Sequence, residues 1–89
     1  MKWKRTVRVT TAQGEIVLCL GETQCVVPEA DRYLVEAIEN GIHEEETLKQ
    51  RIMKQENTNE IMAGLTLAKF ILDYQQFIEK NYDYYEITM

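Results

Sequence analysis

An α+β fold is predicted by three features of this sequence. Alternating, β-branched segments are confined to residues 4–27, apolar residues recur at helical spacing from residue 29 onward, and no strand–helix–strand alternation links the two halves. The expected architecture is a three-stranded antiparallel meander followed by three helices.

The first strand is read at residues 4–10, where Val7 and Val9 point one way and Thr6, Arg8 and Thr10 the other. Ala12-Gln13-Gly14 supplies a turn, with Gly14 free to take positive φ. Glu15 to Leu20, EIVLCL, is a nearly continuous apolar run and suits a more buried strand. Gly21-Glu22 fits a two-residue type II′ turn, and Thr23 to Val27, TQCVV, is the third strand. This turn places Cys19 opposite Gln24 and Cys25 opposite Leu18. A disulfide does not fit that register, and both cysteines read as small buried hydrophobes.

At Pro28 the pattern changes. Proline suits a first helical turn, Glu29 and Asp31 oppose the positive end of the dipole, and Asn40-Gly41 is a stop, so the first helix is expected near 29–40. Ala30, Leu34, Ala37 and Ile38 form its apolar positions. A second helix follows near 44–54, with Leu48 and Ile52 inward. The third is expected from Asn59, its cap, to about Asn81, with no strand after Glu44. Ile61, Leu65, Ala68 and Leu72 make one apolar row on it, and Phe70, Tyr74, Phe77 and Ile78 a second. Together they exceed the roughly 100° stripe of a helix with one neighbour, which predicts contact with both the helical pair and something else. Two short helices, a long one and a small sheet suggest a winged-helix-like arrangement. The tail, YDYYEITM, reads as a packed extension or a frayed end.

Eighty-nine residues imply a single domain spanning 1–89. No apolar run follows the basic start as in a secretory signal, and no stretch approaches the roughly 20 apolar residues of a membrane span, so a cytoplasmic protein without membrane partners is expected. Two cysteines are too few for a disulfide scaffold or a structural zinc site. The net charge of −5 is uneven: residues 1–14 hold four basic side chains and no acidic one, whereas residues 15–46 hold nine acidic side chains and Arg32 alone on the basic side. A nucleic-acid partner calls for a basic stripe and is disfavoured outside a local N-terminal patch.

Catalytic chemistry has little to build on. His43, the only histidine, lacks metal-ligand partners at usable spacing and an orienting carboxylate. The four glycines are isolated and make no phosphate loop. Glu44, Glu45 and Glu46 fan over about 300° of a helix, so they read as a solvated acid cluster at a helix start rather than as converging ligands. Trp3 either covers a sheet edge or anchors a partner. The expectation is a binding module and not an enzyme, with neither metal nor cofactor.

In this element order the chain resembles the PqqD-like family, small modules named for protein D of pyrroloquinoline quinone biosynthesis and also called peptide recognition elements of ribosomal peptide maturation. The resemblance spans about Val7 to Lys80. Its carriers are Gly14-Glu15-Ile16-Val17-Leu18 as the second strand, Asn40-Gly41 ending helix one, Glu46-Thr47-Leu48 opening helix two, and Asp73-Tyr74-Gln75-Gln76-Phe77-Ile78 in the last helix. The glycine and leucine usual after that helix are replaced here by the acidic, tyrosine-rich tail.

The resemblance implies a protein that performs no reaction. It would bind a precursor's leader peptide as an added strand and present it to a modifying enzyme, a radical-SAM enzyme among the candidates. The implied peptide-binding residues are Thr23, Gln24, Cys25, Val26 and Val27 on the third strand, and Tyr74, Phe77 and Ile78 as the opposing wall on helix three. The alternative reading is a winged-helix DNA-binding or adaptor protein.

Overall fold

A computed structural model describes residues 1–79. Its elements are β1 (Lys2–Trp3), β2 (Arg8–Ala12), β3 (Glu15–Leu20), β4 (Thr23–Val27), a 3-10 turn (Glu29–Asp31), α1 (Arg32–Glu39), α2 (Glu45–Glu56), α3 (Glu60–Asp73) and β5 (Ile78–Glu79). The expected three-stranded antiparallel sheet followed by three helices is present, in the order β2-β3-β4.

The two hairpins follow from local turn chemistry. Gln13 and Gly14 both take positive φ, 54° and 80°, as a two-residue type I′ turn requires, and Ala12 faces Glu15 across it. At the second turn Gly21 alone takes positive φ, 61°, as in type II′. Leu20 then faces Thr23, Cys19 faces Gln24 and Leu18 faces Cys25, the register read from the sequence. Cys19 and Cys25 are free thiols. Ile16, Leu18 and Val27 are buried on the sheet's inner face, while Gln24 and Val26 lie on its outer face.

Pro28 opens a 3-10 turn before α1, so Ala30 is exposed and not part of the buried helix face. At the other end Gly41, φ 91°, allows two closing bonds: its own N–H donates to Ile38 O, and Ile42 N–H donates to Ala37 O. Asn57 ends α2 in the left-handed region, and the Asn59 side chain caps α3 by accepting from Met62 N–H at 2.9 Å. Lys49 pairs with Glu46 within α2 (3.3 Å) and bridges to Glu60 of α3 (3.6 Å). The core is one cluster in which Leu18, Leu34, Leu48, Ile52, Leu67 and Phe70 meet.

Three expectations are corrected. The first strand of the meander, β2, starts at Arg8, because Lys4 to Val7 form a turn closed by Val7 N–H donating to Lys4 O. Helix three ends at Asp73, and Tyr74 to Phe77 turn the chain so that Ile78 pairs with Trp3 and Glu79 with Lys2. A short strand thus follows the helices where none was expected, and it closes a separate two-stranded ladder between the ends of the described chain. Among the described residues no helix is long and apolar enough to cross a membrane.

Candidate functional site

Strand β4 is an edge. Among the described residues it pairs with β3 on one side only, and the sheet ends there. The backbone groups on the free side of such a strand point outward in alternation and lack ladder partners. Thr23, Gln24 and Val26 are exposed, Cys25 is half-buried and Val27 is buried. The strand therefore offers a free backbone edge, with its anchoring side chains turned into the fold.

The chain leaves β4 through Pro28 and forms one wall of a cleft of about 440 Å³. Glu29, Ala30, Asp31 and Tyr33 line that wall, and Thr66, Lys69, Phe70 and Asp73 of α3 line the opposite one. Gln55 and Glu56, from the last turn of α2, complete the lining. Four of these residues are carboxylates, Glu29, Asp31, Glu56 and Asp73, against the single ammonium of Lys69, so the cleft is acidic. Lys69 itself lies 3.6 Å from Asp73.

Two tyrosine hydroxyls tie the walls together. Tyr74 donates to Asp31 Oδ2 at 2.7 Å, and Tyr33 donates to Glu56 Oε2 at 2.6 Å. Burial first, and then the accepting carboxylate, push both phenol pKa values above their ordinary value. Burial raises the Cys25 thiol pKa, and the Asp31 charge adds to the rise. That thiol also lies within electrostatic reach of Tyr74. Asp31 and Tyr74 therefore meet at the cleft, and Cys25 of β4 lies within electrostatic reach of both.

The residues assigned from the sequence divide on this geometry. Thr23 to Val27 lie together along the free edge. Tyr74, Phe77 and Ile78 do not form an open wall, being 3%, 0% and 5% exposed. Tyr74 packs beneath the cleft with its ring 4.8 Å from Phe70, Phe77 fills the core, and Ile78 is held in the ladder with Trp3. The α3 residues that do face the cleft, Thr66 and Lys69 among them, escape a reading that searches for apolar rows, because they are polar. Their one sequence signal is the i, i+3, i+4, i+7 spacing of Thr66, Lys69, Phe70 and Asp73.

His43 serves through its backbone, whose carbonyl accepts from the Met1 ammonium. Trp3 is half-buried against Phe70, and its Nε1 is buried without a partner among the described residues. Among the described residues no group of three or more acidic, histidine or cysteine side chains is placed to hold a metal ion. Compared with known proteins, the chain matches no family model, no curated protein and no solved structure.

Proposed function

We propose that this chain is a non-catalytic peptide-binding module. It takes the leader segment of a ribosomally made precursor as an added strand on β4 and presents it to a modifying enzyme. The observation that carries this reading is the edge position of β4, with an acidic cleft whose lining begins at Glu29, two residues beyond the end of that strand. A peptide lying along β4 gains backbone hydrogen bonds regardless of its sequence, and the cleft at the end of the strand selects a side chain. The acidic lining favours a lysine or arginine there. The resemblance to the PqqD-like family supports the same reading, with the wall moved from Tyr74, Phe77 and Ile78 to Thr66, Lys69, Phe70 and Asp73.

A duplex partner has less support. A groove-reading helix presents polar and basic side chains to base edges and phosphates, whereas the outward row of α3 is Ile61, Leu65 and Leu72. The module raises the local concentration of its peptide near the enzyme and leaves the chemistry to that enzyme.

Hydrogen exchange with leader peptides from short precursors encoded beside this chain tests the proposal. Amides of Thr23 to Val27 that exchange in the free protein should become protected on peptide addition. Thr66→Arg, which fills the cleft from an already accessible position, should weaken binding at least tenfold without changing the circular dichroism. Binding that leaves the β4 amides unprotected puts the site elsewhere. No binding by any such leader overturns the function.

A further inference from the structure

Helix α3 is apolar on the side that the described residues leave exposed. Ala63, Leu67, Phe70 and Ile71 are buried, while Ile61, Leu65 and Leu72 are 76%, 61% and 70% exposed and Met62 is 48% exposed. At about 100° per residue, the row Ile61, Leu65, Ala68, Leu72 lies almost opposite the buried row. Its steps of four, three and four residues are those of the a and d positions of a coiled-coil seam, and no ionised side chain interrupts it.

A second observation comes from Gly64, in the middle of the same helix. Glycine inside a helix is destabilising relative to alanine. Nothing in the fold requires it here, since a Cβ at this position would meet no atom within 4 Å. Gly64, beside the seam, stands one turn from Ala68 within it, and the two leave room for a second backbone to approach closely.

We infer that this face is the interface of a homodimer in which two α3 helices pack antiparallel about a two-fold axis. An antiparallel crossing between Leu65 and Ala68 sets each leucine over the partner's small alanine and each Ile61 over the partner's Leu72. Large then meets small at the centre, as interdigitated packing requires. The same alignment sets Met62 against the aliphatic stem of the partner's Lys69 and keeps the two lysines apart. The two helix dipoles run in opposition, which is the favourable sense. The exposed apolar side chains supply on the order of half of the roughly 800 Å² per partner of a standard interface, so the dimer is weak and concentration-dependent. The cleft residues Thr66 and Asp73 lie on a neighbouring face of α3 and only Lys69 borders both surfaces, and the inference does not depend on the peptide site.

Sedimentation equilibrium of the full chain, from low micromolar to millimolar concentration, is the test. The apparent mass should rise from the 10.5 kDa of the monomer toward twice that value. Leu65→Glu should stay monomeric throughout with an unchanged circular dichroism spectrum, because the leucine it replaces is exposed. Gly64→Gln should raise the melting temperature of the dilute monomer and weaken the dimer at least tenfold, a combination that a purely structural glycine does not give. A wild-type chain that remains at the monomer mass overturns the inference, whether the row is then covered by residues 80–89 or by a different protein. A dimer that survives Leu65→Glu overturns it as well.

Discussion

Tyr74 links the sheet edge, the cleft and the core through one hydroxyl. Its ring is buried against Phe70, and its hydroxyl donates to Asp31 on the segment leaving β4. Tyr74→Phe keeps the ring and deletes that bond, which should cost about 1–2 kcal/mol. A domain of this size then melts roughly 4–16 °C lower, a change that calorimetry reads directly. The same bond sets a pH dependence. The folded pKa values of Tyr74 and Tyr33 lie above the unfolded value near 10, so their contribution is complete below about pH 10 and is lost as pH rises through the folded values. The stability deficit of Tyr74→Phe should therefore be full below about pH 10 and narrow as pH rises above it, because the variant lacks the phenol whose ionisation destabilises wild type. Absorbance at 295 nm should show one late-ionising phenol fewer. If the late phenols are unchanged in number, Tyr74 is not the group held neutral. Gln13 is a smaller case at the same scale: its φ of 54° suits asparagine better, and Gln13→Asn should gain about 0.5 kcal/mol.

At the scale of elements, what the sequence disclosed depended on whether the cause was local. The two hairpins were readable because Gly14 and Gly21 determine turn geometry, and a turn of known length sets the register of Cys19 with Gln24. The caps at Asn59 and at Asn40-Gly41 were readable for the same reason. Helix α3 was not. Apolar residues surround it, so periodicity alone could not say which row turns inward, and the row Ile61, Leu65, Ala68, Leu72 is the outward one. Its end was hidden as well: no glycine or proline follows Asp73, and the chain turns there because Phe77 enters the core and Ile78 finds β1. That ladder has two residues on each strand and joins positions more than seventy residues apart, so no local pattern announces it. The β4 edge was therefore legible, and the wall facing it was not. Phe77→Ala measures the consequence. Because Phe77 is fully buried, truncation should cost about 3–5 kcal/mol and reduce stability whether or not peptide is present. A folded, undiminished Phe77→Ala protein would contradict the burial described above.

On the scale of the whole molecule, stability is small enough for a ligand to dominate it. A domain of 89 residues has a total unfolding free energy of only about 4–13 kcal/mol. The proposed strand addition to β4 requires the folded sheet, so a bound peptide would stabilise the native state and not the unfolded chain. Mass action then adds about 2.7 kcal/mol at a roughly hundredfold excess of free peptide over its Kd. For a domain of this size the melting temperature should rise by roughly 10–20 °C. The shift should grow with the logarithm of peptide concentration and persist in high salt, because backbone pairing carries much of the affinity and only the acidic cleft is screened. Binding to a duplex by the basic residues near the N-terminus has the opposite signature, falling steeply with added salt as counterions are released. Thermal melts with a leader peptide and with random duplex, each at low and high salt, separate the two readings. A salt-resistant shift given only by the peptide supports β4 as a recognition edge. A shift given only by the duplex and abolished by salt would move the function to the N-terminal basic surface.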